Sequence, residues 1–345
     1  MGNGEHVRKL AAGIWKPESR AMHRILDAAM TDDEARFILE LPAASAALAA
    51  KHGISEAAVE EKILALARRG LLVSSRKGMR FPADPATLHD IMLSASPERV
   101  PAGMDALWME LYDGEQWARD IGTVLSGLPV RALRTIPVRD SVSGNLAPHE
   151  NIADIIHAHE DLITIRGCCC RVGAKKCDRP VQVCMQFATR AEYDLYRGSG
   201  RKVSADEAMS IAETAGQSGL VPTVSNVANV DGLDFICFCC GCCCLVINPG
   251  LRVGALDKIL APSRFVSTID ADTCNGCGEC AQRCCVDAIA VNQAAGTATV
   301  DRDKCLGCGA CVLACPFESG IMMEEVRPPD FVPETNPITS ILMQM

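Results

Sequence analysis

The first quarter of the chain alternates apolar and polar residues with the period of a helix. Val59, Ile63 and Leu66 share one face of a segment that begins after Ser55, a frequent N-cap residue, and ends at Gly70. Shorter segments of the same kind precede it, and two short apolar stretches joined by a polar turn follow it. The pattern therefore predicts three helices and a hairpin, at Asp32–Leu41, Ala43–Lys51, Ser55–Arg69, Leu71–Val73 and Met79–Phe81.

Three helices followed by a hairpin resemble a winged-helix domain, which implies a module of this kind at residues 1–100. Residues 32–82 contain eight Lys or Arg and seven Asp or Glu, so the stretch is nearly neutral. DNA readers neutralise phosphates, whereas the predicted recognition helix is acidic in its first turns. We therefore expect the module to dock protein or to pack on the rest of the chain and not to bind DNA. Arg76, Lys77 and Arg80 in the hairpin argue for the opposite view.

The middle of the chain predicts a mixture of helices and strands. The expected elements are helices at 107–125, 149–159 and after Ser204, and strands at 134–138, 162–165 and 233–236. The last two strands each deliver the chain to a cysteine-rich segment. If both belong to one sheet, the two cysteine groups meet at one end of that sheet.

The cysteines change this picture most. The chain has 345 residues and 20 cysteines, and all of the cysteines lie between Cys168 and Cys315. Because the sequence starts without a leader-like segment and has no run of eighteen apolar residues, we expect a cytoplasmic protein without a membrane span. In a reducing compartment, clustered cysteines bind metal more often than they form disulfides. A net charge of −9 and 4% aromatic residues argue against a general nucleic-acid-binding surface.

The strongest motif is an internal repeat near the C-terminus, in which IDADTCNGCGECAQRCC aligns with VDRDKCLGCGACVLACP at an offset of 31 residues. Each copy has the spacing C-x2-C-x2-C-x3-C, where three thiolates from one loop bind one 4Fe-4S cluster and the fourth binds the other. Paired zinc sites, the alternative, leave the fourth cysteine of each copy unexplained. The predicted ligands are Cys274, Cys277, Cys280 and Cys315 for the first cluster and Cys305, Cys308, Cys311 and Cys284 for the second.

This repeat resembles bacterial two-cluster ferredoxins, which implies a ferredoxin-like βαββαβ domain at 261–326 that holds two 4Fe-4S clusters. Cys285 departs from the pattern, because the second copy has Pro316 at that position; it is either a spare thiol or a competitor of Cys284. Residues 265–326 contain nine acidic and three basic residues, a net charge of −6. Such a surface favours a redox partner with a basic docking patch.

Two further cysteine groups occupy the middle region, GCCCRVGAKKCDRPVQVC and ICFCCGCCC. Four thiols of the first suffice for a third cluster, and Pro180 is expected to open a helix that carries Cys184. Six adjacent thiols in the second cannot all face one way, so only a subset is expected to bind a fourth cluster. The candidates are Cys168, Cys170, Cys177 and Cys184 in the first group and Cys237, Cys239, Cys240, Cys242, Cys243 and Cys244 in the second.

Two alternatives apply to these middle groups. Zinc or buried thiols would also explain them, although C-x-C spacing is shorter than that of the usual zinc pair. Along the second group, alternation places on one side either Cys237 with Cys239 or Cys240 with Cys242 and Cys244. Basic residues near the first group either stabilise an anionic cluster or form a solvated face; they are Arg166, Arg171, Lys175, Lys176 and Arg179.

The whole arrangement resembles a family of 4Fe-4S dicluster, ferredoxin-type proteins of anaerobic prokaryotes. The shared features after the winged-helix-like region are RxIPV at Arg134–Val138, CxCR at Cys168–Arg171, CxxPxxxC at Cys177–Cys184 and xCxCCxCCC at Ile236–Cys244, followed by the two-cluster domain. The resemblance implies no particular substrate. Cys169 is outside the shared CxC pattern and is not expected to be a ligand.

We therefore expect an α+β multidomain protein: a winged-helix-like module at 1–100, a mixed α/β cysteine-rich iron-sulfur domain at 101–260, the two-cluster domain at 261–326 and a Pro-rich tail at 327–345. The expected function is to relay low-potential electrons between the ferredoxin-type domain, one or two middle clusters and a redox partner, as a carrier more than as a stand-alone enzyme. Two alternatives remain. In the first, the middle region is an oxidoreductase whose open-coordination cluster reduces a small substrate. In the second, the chain is a redox-sensing regulator that binds DNA through the winged helix.

Overall fold

The computed structural model describes residues 4–144, 146–317 and 320–334. Over these residues the fold is mixed α/β, with helices and several sheets. Most of the predicted Pro-rich tail, residues 335–345, lies outside the described residues. In the described part of the chain, no helix combines the length and the apolar character that crossing a membrane requires.

The N-terminal part is helical apart from one hairpin. Its helices are α1 (Glu5–Ile14), α2 (Arg20–Ala29), α3 (Asp32–Ile38), α4 (Ser45–His52), α5 (Glu56–Arg68), α6 (Pro85–Leu93), α7 (Met104–Met109) and α8 (Trp117–Ser126). The Ser55 hydroxyl accepts a hydrogen bond from the backbone N–H of Ala58 at 3.2 Å, which confirms Ser55 as the N-cap of α5. Strands β1 (Val73–Ser75) and β2 (Gly78–Arg80) pair antiparallel, so the predicted hairpin is present with a tighter turn.

The apolar faces of these helices meet in one core. Trp117 is buried in it, with its ring centroid 5.9 Å from that of Trp108 and 6.5 Å from that of Trp15. Cys169, at the start of a helix in the middle part, is buried in the same core. The helical part and the cysteine-bearing part are therefore packed against each other.

The middle part is built on a seven-stranded sheet. Its strands are β3 (Leu133–Thr135), β4 (Ile163–Gly167), β5 (Gln182–Phe187), β6 (Gly200–Val203), β7 (Val221–Ser225), β8 (Phe235–Cys239) and β9 (Leu260–Ala261). The helices between them are α9 (Ile152–Ala158), α10 (Cys169–Ala174), α11 (Ala188–Arg197), α12 (Ala205–Gln217), α13 (Ile247–Val253) and α14 (Leu256–Ile259). The spatial order is β6-β4-β5-β8-β7-β3-β9, and only the pair β3 and β9 is parallel.

The strand directions bring the middle cysteines together. Strands β4 and β8 both pair antiparallel with β5, so they run parallel to each other and end at the same edge of the sheet. Met185 fixes the register, since it lies opposite Ile165 on one side and Ile236 on the other. The prediction that both cysteine groups follow strands of one sheet is confirmed.

The predicted helix after Pro180 is wrong, because this stretch forms strand β5, which carries Cys184. Val183, Met185 and Phe187 recur with a period of two, the pattern of a strand, and all three are buried. The proline preference for a first helical turn was the weaker signal. Cys184 consequently lies within the sheet, opposite Arg166 of β4.

The C-terminal part contains β10 (Phe265–Ile269), α15 (Glu279–Arg283), β11 (Ile289–Asn292), β12 (Thr297–Val300), α16 (Ala310–Ala314) and β13 (Ile321–Glu325). Strand β10 pairs antiparallel with β13, and β11 with β12. This part is hydrogen-bonded to the middle part. The backbone N–H of Val138 donates to the carbonyl of Cys308 at 2.8 Å, and that of Ser263 donates to the carbonyl of Leu306 at 3.0 Å.

Candidate metal centres

The first candidate centre, which we call the outer cavity, is a small cavity in the C-terminal part. Four cysteines line it: Cys274, Cys277, Cys280 and Cys315. Gly276 shapes the loop, since it has φ +70° and an added Cβ would lie 2.8 Å from the backbone of Gly296. A hydrogen bond from the backbone N–H of Gly276 lowers the pKa of Cys274, which favours the thiolate. Cys277 is exposed, so the outer cavity adjoins the surface.

The second candidate centre, the inner cavity, is of similar size to the outer cavity. Its cysteine lining is Cys284, Cys305, Cys308 and Cys311, together with Cys285. Gly307 has φ +65°, and an added Cβ would lie 2.1 Å from the carbonyl oxygen of Phe265. Burial raises the pKa of Cys308, and it raises that of Cys311 to about 12. Cys311 is buried, whereas no cysteine that lines the outer cavity is.

The fourth cysteine of each repeat copy lies with the other copy. Cys284 follows the first motif but lines the inner cavity, and Cys315 follows the second motif but lines the outer cavity. Each cavity is therefore surrounded by one of the two crossed sets of four cysteines predicted from the spacing. Ile321 lines the outer cavity and Ile289 the inner one, and both are buried, as expected for residues that exclude water.

The third candidate centre, the edge group, lies where β4 and β8 end. Neighbouring thiols of this group are close enough to perturb one another's pKa, in the order Cys184, Cys237, Cys239, Cys244, Cys170 and Cys168. These contacts lower the pKa of Cys237 and of Cys244 and raise that of Cys184, because one thiol of each pair accepts the proton that the other donates. Cys237 and Cys239 lie together, which agrees with the first of the two predicted alternations.

A buried ion pair supports the edge group. Arg166 lies opposite Cys184 in the sheet, and its Nη2 donates to Asp90 Oδ2 at 2.8 Å and to Oδ1 at 3.0 Å. Burial acts to raise the pKa of Asp90, but the charge and hydrogen bonds of Arg166 outweigh it and lower the pKa to about 2. Arg166 Nη1 also donates to the Ser94 hydroxyl at 2.7 Å. No sequence pattern marks Asp90 as a supporting residue, because it lies 76 positions before Arg166.

The fourth candidate centre, the tight group, consists of four thiols whose sulfur atoms all lie within 4.8 Å of one another: Cys177, Cys240, Cys242 and Cys243. Among the residues that the structure describes, only these metal-ligating atoms approach one another so closely in a group of three or more. The predicted set Cys168, Cys170, Cys177 and Cys184 is therefore divided, with Cys177 in the tight group and the other three in the edge group. In the second predicted alternation, Cys240 and Cys242 lie together, whereas Cys244 lies in the edge group.

The basic residues near these cysteines fall into two kinds. Arg166 and Arg171 are buried, and Arg171 Nη1 lies 3.9 Å from Cys240 Sγ. Lys175 and Lys176 are instead paired at the surface, with Asp105 and Asp113 respectively. Arg166 and Arg171 are therefore candidates for stabilising an anionic site, whereas Lys175 and Lys176 belong to the solvated face.

Cys285 connects the C-terminal part with the middle part. It lines the inner cavity, and its backbone carbonyl lies so close to Gly241 that a Cβ on that glycine would be 2.1 Å from the oxygen. Burial raises the pKa of the Cys285 thiol to about 12, and the nearby Cys240 and Cys244 act in the same direction. One apolar cluster contains residues of both parts: Cys239 and Cys244 with Cys284, Cys285, Cys305 and Cys308.

One further residue at the inner cavity, Ser267, is not predicted by the sequence. Ser267 Oγ lies 3.0 Å from Cys311 Sγ and 4.0 Å from Cys305 Sγ. A hydroxyl next to a cluster ligand tunes the cluster, because hydrogen bonds to the sulfurs shift its reduction potential. Ser267 precedes the motif on β10, and its neighbours in sequence carry no signal of this contact.

Comparison with known proteins finds one match. Residues 267–323 match the family model described as the 4Fe-4S dicluster domain. No curated protein and no solved structure matches the chain. The match covers both cavities, and the four-thiol linings fit 4Fe-4S clusters. The dicluster-domain match and the cysteine-rich segments together support an iron-sulfur protein with an electron-transfer role.

Proposed function

We propose that the protein passes electrons between a redox partner at the outer cavity and the edge group, by way of the inner cavity. One observation carries this proposal. The inner cavity shares an apolar cluster with the edge-group thiols, whereas the outer cavity adjoins the surface through Cys277. The outer cavity thus adjoins the surface, and the inner cavity adjoins the edge group. An electron relay requires one contact with an external partner and one within the protein.

The residues that would hold the two clusters are those that line the cavities, in the crossed sets. A bound 4Fe-4S cluster supplies a carrier of single electrons at low potential. The chain itself supplies the thiols and the apolar surroundings: Ile321 and Ile269 line the outer cavity, and Val286 and Leu306 line the inner one. These side chains exclude water, which is one means by which a protein sets the potential of such a carrier.

The edge group is the proposed internal end of the relay. Its six thiols exceed the four that one cubane needs, and three of the predicted ligands of a third cluster belong to it, namely Cys168, Cys170 and Cys184. The buried pair of Arg166 and Asp90 fixes the strand on which this group depends. A third cluster here is part of the proposal.

The proposed partner has a basic docking patch and binds near the outer cavity. Residues around this cavity are predominantly acidic, and Asp272 and Glu279 flank its cysteine loop. Exposed apolar side chains of the same part of the chain, Phe317 and Met322, would provide the apolar centre of such an interface. Opposite charges at the rim would steer the partner and increase its association rate.

The N-terminal helices, on this proposal, pack on the redox part and do not read DNA. Helix α5, the predicted recognition helix, contacts α11 of the middle part. The Tyr193 hydroxyl of α11 donates to the carbonyl of Leu72 just before the hairpin. Both contacts place middle-part residues against the elements that a DNA-binding winged helix needs free.

The test is to purify the full chain anaerobically and measure iron, acid-labile sulfide and the EPR spectrum after reduction. Two 4Fe-4S clusters predict at least about eight irons and eight sulfides per chain, with magnetic interaction between neighbouring reduced clusters. Cys280→Ser and Cys284→Ser form a matched pair, since the two residues are four positions apart but line different cavities. Cys284→Ser should alter the same EPR signal as Cys305→Ser, and Cys280→Ser should alter the other.

A colourless protein without acid-labile sulfide would overturn the proposal. So would a Cys284→Ser variant that alters the signal affected by Cys274→Ser, because the crossed arrangement of ligands would then be absent.

A further inference from the structure

We infer that the tight group is a closed site for a single divalent metal ion, bound by the thiolates of Cys177, Cys240, Cys242 and Cys243 without inorganic sulfide. The ion is zinc or a mononuclear iron, the two ions that four thiolates in a tetrahedron favour. This inference goes beyond the electron relay, because the site has a structural role. It also differs from the prediction that Cys177 belongs to a cluster with Cys168, Cys170 and Cys184.

The separation of the sulfur atoms carries the inference. A metal–sulfur bond of about 2.3 Å places the corners of a tetrahedron about 3.8 Å apart. In the tight group, Sγ of Cys243 lies 3.9 Å from Sγ of Cys177 and 3.6 Å from Sγ of Cys242. All four sulfurs lie within 4.8 Å of one another. Four thiols at these distances enclose one ion and leave no room for a cluster of four irons and four sulfides.

The outer and inner cavities provide the internal comparison. Each of their cysteine sets surrounds a cavity, and neither set approaches closely enough to form a tight group. The same chain therefore holds two kinds of four-thiol arrangement. In the cavities the thiols surround a space, whereas in the tight group the four sulfurs are close enough to bind one ion directly.

The chain positions of the four thiols agree with a structural ion. Cys240 and Cys243 have the spacing C-x2-C, which is usual for one pair of zinc ligands. Cys177 comes from a loop 66 residues before Cys243, and Cys242 completes the set. Because the protein supplies all four ligands, no position remains for substrate, as is typical of structural and not catalytic sites.

Neighbouring groups compensate the charge of the site. Four thiolates and one divalent ion carry a net charge of about −2, which a buried site must offset. Arg171 is buried, and its Nη1 lies 3.9 Å from Cys240 Sγ while it donates to the carbonyl of Phe238 at 2.8 Å. Cationic and N–H donors are the groups that stabilise metal-bound thiolates.

The ion would hold together two segments of the chain that carry cysteines of the edge group. Cys177 lies between α10, which carries Cys170, and β5, which carries Cys184. The other three ligands directly follow β8, which carries Cys237 and Cys239. A bound ion would thus hold the loop after α10 against the end of β8. The positions of the edge-group thiols would then depend on this ion.

The experiment measures zinc, iron and acid-labile sulfide together in the anaerobically purified full chain. Cubane clusters contain iron and sulfide in equal amounts, so a separate ion gives an excess of about one metal per chain over sulfide. The variant Cys177→Ala with Cys242→Ala should lose this excess and keep its sulfide. Cys169→Ala is the matched control, because Cys169 is buried nearby but outside the group, and it should keep both.

X-ray absorption identifies the ion in the wild-type chain, independently of whether any variant folds. Zinc with four sulfur neighbours at about 2.3 Å, or instead an iron that gives a mononuclear ferric signal after oxidation, would support the inference. Equal amounts of total metal and sulfide in the wild type would overturn it. So would a loss of about four irons with four sulfides in the Cys177→Ala, Cys242→Ala variant, since that is the loss expected for a cluster. A failure of the electron-transfer proposal is distinguishable, because it removes sulfide altogether and leaves the separate ion.

Discussion

The thiols of the two cavities and those of the tight group differ in the space they enclose. In the C-terminal part, nine cysteines line two cavities. In the tight group, four cysteines bring their sulfurs within 4.8 Å of one another. Each predicted ligand set has four thiols, so the separation of the sulfurs, and not their number, distinguishes the proposed cluster sites from the proposed ion site.

The two regions also differ in how their ligands are assembled. In each cavity, three cysteines come from one short loop and the fourth comes from the other repeat copy. The tight group and the edge group instead depend on the pairing of β4, β5 and β8, which are far apart in sequence. Local spacing therefore determines the cavities, whereas the packing of the sheet determines the middle groups.

The largest effect is expected from removing ligands of the inner cavity. Cys308→Ala with Cys311→Ala should remove about four irons and four sulfides per chain, because two of four ligands are lost. It should also lower the midpoint of thermal unfolding more than Cys274→Ala with Cys277→Ala does. Cys308 lies in the apolar cluster shared by the C-terminal and middle parts and Cys311 is buried, whereas Cys277 is exposed.

Iron and sulfide analysis with thermal unfolding under anaerobic conditions checks this prediction. Equal decreases in the unfolding midpoint for both pairs would show that the two cavities contribute alike to stability, which would remove this difference between them.

The next largest effect concerns the ion pair beneath the edge group. Asp90→Asn should lower the free energy of unfolding by about 2–3 kcal/mol, because it removes the nearer carboxylate partner of the buried Arg166, at 2.8 Å, and leaves only Asp194 at 3.6 Å. Asp105→Asn is the control, since Asp105 pairs with the exposed Lys175, and it should change stability by about 0.5 kcal/mol or less. Denaturant unfolding of the anaerobic protein measures both. Similar values for the two variants would contradict a structural role for the buried pair.

The sequence was sufficient for the cavities because their information is local. The repeat places Cys274 and Cys305 at equivalent positions, and the x3 spacing marks Cys284 and Cys315 as the fourth cysteines. Glycine in the loop provides the required positive φ, as at Gly276. These signals fix which four cysteines line each cavity before the packing of the chain is known.

The middle groups could not be resolved in the same way. The contact between Cys177 and Cys243 joins residues 66 positions apart and follows from sheet pairing that the sequence does not display. The helix expected after Pro180 was wrong for a second reason. Proline is frequent in the first turn of a helix, but Val183, Met185 and Phe187 recur with the two-residue period of a strand. Had β5 been recognised, Cys184 would have been expected beside the β8 cysteines.

A smaller effect is expected at the contact between the two regions. Gly241→Ala places a Cβ 2.1 Å from the carbonyl oxygen of Cys285, so one of the two segments must move. The expected loss of stability is about 1–3 kcal/mol, as for overpacking of a close contact. The outer cavity should keep its iron, because neither residue lines it, whereas Gly241 lies between Cys240 and Cys242 of the tight group.

Gly13→Ala is the matched control for this contact. Gly13 lies in α1 with no atom within 4 Å of an added Cβ, so alanine there should stabilise the protein by about 0.5–1 kcal/mol. Denaturant unfolding measures both variants. If Gly241→Ala were as stable as the wild type, the close contact between the inner cavity and the middle part would be contradicted.

The smallest effect is expected at the surface beside the outer cavity, where it should appear in a rate and not in stability. Asp272→Lys with Glu279→Lys reverses two charges that flank the exposed Cys277. Reduced methyl viologen, a cationic electron donor, should then reduce the protein about fivefold more slowly at low ionic strength, because attraction is replaced by repulsion. Dithionite, an anionic donor, should become faster. Both changes should decrease as salt is added, since exposed charges are screened. Stopped-flow absorbance measures these rates, and iron content confirms that the cavities remain loaded.

Glu56→Lys with Glu61→Lys on α5 is the control, because it makes the same charge change in the N-terminal helices. If this control slowed methyl viologen as much, only the net charge would matter. Electron entry at the outer cavity would then lose its support.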